Sequence, residues 1–244
     1  MRDRFLNSQK PKEKIELHKI ILVPINSAGW PFISLFAAAT IGLFMISTPL
    51  GWIGIILTLW CAYFFRDPDR VTSTRSGLIV SPADGVVQLI DHAVPPMELE
   101  MGDKKRFRVC VFMNIFNVHV NRVPSDGEIT KISYRPGCFF NASLDKASEY
   151  NERMSIRLKT PENQDIAFVQ IAGLVARRIK CDIVEGQKVK AGERFGLIRF
   201  GSRVDVYLPE GVEPSVCVGQ TTVAAETTIA NVHANETLND GQVR

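Results

Sequence analysis

The sequence predicts a mainly β domain, barrel- or sandwich-like, carried behind an apolar helical N-terminal segment that associates with a membrane. Two observations predict it. From Ile20 to Phe65 there is no charged residue, and about 20 apolar residues already span the hydrocarbon core of a bilayer. Beyond Arg66 the chain breaks into short runs rich in β-branched and aromatic residues, punctuated by Gly and Pro, a pattern of many short strands. Length agrees, since 244 residues with 45% hydrophobic content suit one domain of about 100–150 residues plus an extra segment.

Residues 1–66 form the first unit. Its start is basic, with Arg2, Arg4, Lys10, Lys12, Lys14 and Lys19 against Asp3, Glu13 and Glu16. The apolar run that follows is too long for the core of a signal peptide, and no small-residue cleavage site ends it. It breaks at Ser47-Thr48-Pro49-Leu50-Gly51 into two arms, Pro31–Ile46 and Trp52–Phe65. A tight hairpin, a re-entrant pair and one long tilted helix all satisfy this pattern. Arg66, Arg70 and Arg75 follow the second arm. Positive charge on both flanks puts both ends on the cytoplasmic side, which a hairpin permits and a single span does not. Trp30, Trp52 and Trp60 suit the headgroup level.

Asp67-Pro68-Asp69 ends the apolar segment and opens a domain over residues 67–230. Strands are expected at Leu78–Ser81, Val86–Ile90, Arg106–Met113, Gly127–Tyr134, Met154–Thr160, Ile166–Ile171, Arg178–Ile183, Arg194–Phe200, Val204–Leu208 and Thr221–Ala225. Phe107, Val109, Val111 and Met113 show the period-two alternation of a half-buried strand. A short helix fits Ser143–Asn151. The stretch Glu185–Gly196 looks like the hammerhead turn of biotinyl- and lipoyl-carrier barrels. Residues 231–244 are a polar tail.

Composition excludes several functions. A net charge of +3 with no long basic run gives no warrant for nucleic-acid binding. Five cysteines (Cys61, Cys110, Cys138, Cys181, Cys217) form no C-x-x-C pair, and their odd number speaks against a disulfide framework and for a reducing compartment. His18, His92, His119 and His233 stand far apart, without metal-ligand spacing, so no metal is expected.

Four short segments carry the candidate chemistry, and each has an ordinary reading when taken alone. Ser81-Pro82-Ala83-Asp84-Gly85 reads as a turn with a solvated carboxylate. His119, in Phe116-Asn117-Val118-His119-Val120-Asn121-Arg122-Val123-Pro124, reads as a satisfied structural histidine. Asn151-Glu152-Arg153 reads as a surface charge pair, and Gly201-Ser202 as a turn between strands.

Taken together and in this order, with Arg199-Phe200-Gly201-Ser202-Arg203-Val204-Asp205 the most specific of them, the segments resemble the phosphatidylserine decarboxylase family in its short bacterial and archaeal form. The resemblance covers essentially the whole chain. It implies that the protein cuts its own Gly201–Ser202 bond and converts Ser202 to a covalent pyruvoyl group. The expected products are a large fragment, 1–201, and a small one, 202–244, held as a heterodimer. Ser202 Oγ would attack the Gly201 carbonyl, with His119 as base and Asp84 as its orienting carboxylate. The pyruvoyl ketone would then form a Schiff base with phosphatidylserine and act as electron sink while carbon dioxide leaves, with His119 suited to return the proton. The substrate lipid places the enzyme at the cytoplasmic face of the cell membrane.

One departure matters. Longer members carry a second histidine three positions after the first, tied to self-cleavage, and here that position is Arg122. Either His119 serves both steps or another residue activates Ser202. Arg122, Arg153, Arg177 and Arg178 are candidates for the substrate phosphate or carboxylate, or solvated surface residues. Two other functions remain open. One is a pyruvoyl decarboxylase of a soluble amino acid, which gives no reason for the apolar arms. The other is a membrane-tethered carrier module bearing lipoyl or biotin on Lys188 or Lys190.

Overall fold

The computed structural model describes residues 23–137, 151–173, 178–199 and 201–233. The chain divides into two compact units, Met1–Asp69 and Arg70–Arg244.

In the first unit the apolar run folds as two helices, α1 (Trp30–Ile46) and α2 (Thr48–Phe64), packed as an antiparallel hairpin. The run is therefore two helices and not one long tilted helix. Ser47 makes the corner: its extended backbone (φ −163°) separates the helices and its side chain caps the Leu50 N–H. Pro31 and Pro49 sit in the first turns, where a missing N–H costs nothing. The helices approach closely because Gly51 lies against Phe44 and Gly54 against Thr40. The Thr40 and Thr58 hydroxyls meet at 3.0 Å, one donating to the other, and lie 2.8 and 2.9 Å from the carbonyls one turn back, to which the other donates. At the open end, Asn26 N–H donates to Phe65 O at 2.8 Å and Asp67 N–H to Pro24 O at 2.7 Å. Leu35, Ile41, Met45, Ile46, Trp52, Ile56 and Leu59 are exposed, too much apolar surface for helices of a water-soluble core. The helical stretch Ser27–Ile46 is long and apolar enough to cross a membrane.

The second unit is mainly β, as expected. Its strands are β1 (Leu78–Val80), β2 (Gly85–Ala93), β3 (Arg106–Met113), β4 (Val120–Arg122), β5 (Gly127–Arg135), β6 (Arg153–Lys159), β7 (Asp165–Ile171), β8 (Ile179–Cys181), β9 (Lys188–Val189), β10 (Arg194–Ile198), β11 (Ser202–Tyr207), β12 (Thr221–Thr222) and β13 (Thr228–Asn231). Eight of them form a curled antiparallel sheet in the order β12-β2-β3-β11-β7-β6-β5-β9, accompanied by a three-stranded sheet, β4-β10-β8, and the pair β1-β13. Three short strands, β4, β9 and β13, escape the sequence pattern because two to four residues show no period. The helix expected at 143–151 falls almost wholly outside the described residues, and Asn151 itself makes an isolated bridge. Asn231, the first residue of the expected polar tail, closes β13 opposite Leu78.

One face of the large sheet carries the main core. Val109, Val111 and Met113 of β3, Val204 and Val206 of β11, and Ile166 and Phe168 of β7 are all buried there. The small sheet packs onto it through Phe195, whose ring meets Phe168 edge-on at 4.9 Å. The other face is largely polar yet also buried. Arg203 and Asp205, each 1% exposed, pair at 2.7 Å, and Arg108 reaches both Asp91 (2.6 Å) and Asp205 (3.7 Å). Burial and the Asp205 charge push the Cys110 thiol well up and Tyr207 up to about 12, so both stay protonated at neutral pH. A short 3₁₀ turn, Met97–Leu99, covers this face, with Leu99 and Met101 packed on Val169, Ile171 and Tyr207.

Candidate active site

Strand register brings the four sequence segments to one end of the large sheet. Gly85 stands opposite Thr222, Val86 opposite Phe112, Met113 opposite Ser202, and Ile171 opposite both Arg203 and Arg153. β4 is tied to the same end, because Arg122 N–H donates to Pro82 O at 2.9 Å and the His119 carbonyl accepts from Ile198 N at 3.3 Å.

Ser202 is the first residue of β11, whereas the sequence put the strand start at Val204. Its pairing with Met113 extends the ladder by two residues. The side chain follows the alternation of Val204 and Val206 and faces the main core. It is fully buried, and its hydroxyl has no hydrogen-bond partner among the described residues. Such a group costs about 1–3 kcal/mol, which a structural serine seldom bears. Gly201 before it has φ +60° and open space where a Cβ would stand. Glycine is therefore required by conformation and not by crowding.

His119 is fully buried, and its Nδ1 lies 3.0 Å from the Asn117 carbonyl. A carbonyl only accepts, so in the neutral ring Nδ1 carries the hydrogen and Nε2 keeps the lone pair. Asp84 is engaged elsewhere. One carboxylate oxygen accepts from Ala224 N at 2.8 Å and the other from Arg70 at 2.6 Å. The orienting bond on His119 thus runs to a main-chain carbonyl, while Asp84 locks the turn that precedes β2. That turn is held further by Ser81 Oγ and Thr222 Oγ1, both donating to Ala83 O.

Asn151, Glu152 and Arg153 are not a surface pair. All three are buried and staple the ends of β6, β7 and β8. The Asn151 amide donates to Ala172 O at 2.7 Å, and Glu152 accepts from Ile179 N at 3.3 Å. Arg153 is bidentate to Glu98 (2.9 and 3.0 Å) on the polar face. Despite burial, a hydrogen bond from its own backbone, then the Arg153 charge and the Ser155 hydroxyl, hold the Glu98 carboxyl below its ordinary range. Arg122 is buried to 5% and donates to Gly192 O at 2.9 Å. It lines an open cleft of about 560 Å³ together with Arg70, Lys190 and Arg194. Arg178 is exposed, beside Arg199, whose guanidinium is pushed down by burial and by that neighbouring charge. Arg177 lies outside the described residues.

Two polar residues of the core, one of them inside the His119 segment, were given no role by the sequence motifs. Asn121 and Gln170 are fully buried. Gln170 Nε2 donates to Asn121 Oδ1 at 2.8 Å, and Asn121 Nδ2 reaches Met113 Sδ at 3.6 Å. The available signal was a glutamine at the core-facing position of β7, in step with Ile166 and Phe168.

Comparison with known proteins agrees on a class, a decarboxylase made as a proenzyme. The family model described as phosphatidylserine decarboxylase matches residues 57–230. A Paramagnetospirillum magneticum protein named phosphatidylserine decarboxylase proenzyme is 60% identical over 232 residues, 95% of this chain and 97% of its own length. Proteins of the same name from Cereibacter sphaeroides and Ruegeria pomeroyi are 55% and 57% identical, over 94% and 89% of this chain and 99% and 100% of their own. The chain belongs to the phosphatidylserine decarboxylase family.

Proposed function

We propose that the protein converts phosphatidylserine to phosphatidylethanolamine and carbon dioxide at the cytoplasmic face of the cell membrane, using a pyruvoyl group that it makes from Ser202. The observation that carries this reading is the buried Ser202 hydroxyl behind the left-handed Gly201, at the sheet end where all four segments meet.

Self-processing starts as Ser202 Oγ adds to the Gly201 carbonyl carbon while His119 takes the hydroxyl proton. The Gly201–Ser202 C–N bond then breaks, leaving an ester and a free amine on residue 202. Loss of the residue 202 α-proton breaks the Cβ–Oγ bond, and Gly201 departs as a carboxylate. The dehydroalanine tautomerises to an imine, and water replaces its nitrogen, releasing ammonia. The residues fit such a group, since Ser202 heads a buried strand with its side chain on the core face. Once formed, the pyruvoyl group supplies an electron sink for decarboxylation. With Nδ1 fixed on Asn117, His119 presents Nε2 as the single proton-transfer atom for both steps. Asp84 acts by holding the turn that precedes β2, and Arg122, with Lys190 and Arg194, offers positive charge to the lipid phosphate. Arg153 serves as a clamp on Glu98.

Intact-mass measurement tests the core of this reading. The expected result is a blocked fragment beginning at position 202, and a single uncut chain overturns it. Ser202→Ala should remain one chain and release no carbon dioxide from phosphatidylserine. His119→Ala should lose at least about 100-fold in decarboxylation, and full activity in that variant would remove His119 from the mechanism.

A further inference from the structure

Asn121 and Gln170 sit where the surrounding core is Val, Ile and Phe. A buried amide without adequate partners is costly, and here the pairing is incomplete on both sides. Asn121 Nδ2 spends its bond on the Met113 thioether, 3.6 Å away, a weak acceptor. Gln170 Oε1 has no partner among the described residues. The pair is nonetheless firmly placed, because Gln170 Nε2 holds Asn121 Oδ1 at 2.8 Å.

Register sets it against Ser202. Met113 is the direct cross-strand partner of Ser202, and Gln170 is the partner of Val204, one step along the same face. Directly opposed residues on a sheet face have Cβ atoms about 4.5–5.5 Å apart and diagonal ones about 7–8 Å. An amide that touches the Met113 sulfur while bonded to Gln170 thus lies against the two side chains that flank residue 202 on that face.

Resting on the self-cleavage reading above, we propose that the Asn121 amide, positioned by Gln170, donates the hydrogen bond that stabilises the oxygen leaving residue 202 in the elimination step. In that step a base removes the α-proton of residue 202. The electron pair forms the Cα=Cβ bond, and the Cβ–Oγ pair passes to Oγ, now part of the Gly201 carboxylate. The growing negative charge is a far better acceptor than a thioether, so the donor gains its proper partner only as the bond breaks. This is transition-state stabilisation by a donor fixed in advance in a buried site.

The test follows processing of the full chain in Asn121→Leu, Asn121→Asp and Gln170→Leu beside wild type, by gel and mass. Hydroxylamine cuts and so reveals any ester that accumulates. The inference expects roughly 100-fold slower pyruvoyl formation in Asn121→Leu, with the hydroxylamine-sensitive ester building up. Asn121→Asp keeps the volume and adds repulsion, so it should be slower still, and Gln170→Leu should fall between wild type and Asn121→Leu. Processing within about threefold of wild type in both Asn121 variants overturns the inference. So does a persistent precursor without ester in all three, which places the block at the first step or in folding. A wild-type chain that never yields the blocked fragment at 202 removes the self-cleavage reading and this inference with it. Normal processing in wild type and variants alike removes this inference alone.

Discussion

Gly201 concentrates the demands of self-cleavage in one dihedral. Its φ of +60° is a conformation that costs a residue with a Cβ about 1–2 kcal/mol, although nothing crowds the position. Gly201→Ala should therefore fold and process slowly, with a stability loss of about 1–2 kcal/mol. Time-resolved gels and thermal melts check both halves, and wild-type cleavage in the Ala variant would show the φ to be incidental. The Gly-Ser dipeptide was readable in the sequence because glycine and serine are the residues such chemistry needs. The burial of Ser202 was not, since it depends on pairing with Met113, almost ninety positions away in the chain. The roles of Asn151, Glu152 and Arg153 were misjudged for a related reason. Charge in a sequence predicts solvent, and only the tertiary partners Ala172, Ile179 and Glu98 reveal why these groups stay inside.

At the scale of elements, the turn at Met97–Leu99 is held on the polar sheet face by the packing of Leu99, by Arg157 on the Leu99 carbonyl, and by Glu98 on Arg153 and Ser155. Because the Glu98 carboxyl is lowered in the folded protein, the stability it adds is complete above the ordinary glutamate value of about 4.3. That stability drains as pH falls through the lowered value. Glu98→Gln should cost about 1 kcal/mol at neutral pH and little once Glu98 itself is protonated. Melts from pH 7 down to about 3 check this, and an equal deficit at both ends would refute the clamp. The long strands were legible from their alternation, and Arg106–Met113 matches its expected bounds. The two- and three-residue strands β9 and β4 owe their place to pairing with β5 and β10, a long-range effect no local window contains. The helix pair was legible as apolar arms, while its hairpin form rests on the Gly51 and Gly54 approaches and the Thr40–Thr58 bond.

For the whole molecule, the hairpin's exposed apolar surface and the basic flanks fit attachment to the membrane that supplies the substrate. The full chain should float with phosphatidylserine vesicles, and a chain lacking residues 30–64 should stay behind. Flotation of the shortened chain would move the membrane contact elsewhere. The place of β11 has another consequence. It lies in the middle of the large sheet, between β3 and β7, yet under the proposed cleavage it becomes the very beginning of a separate 43-residue peptide, 202–244. Covalent continuity is then a folding aid used once: it keeps the central strand at high effective concentration while the sheet closes. After the cut, the sheet alone retains the peptide. Mature enzyme unfolded in denaturant should accordingly regain structure poorly and in proportion to its concentration, while the uncut Ser202→Ala chain refolds as a single molecule.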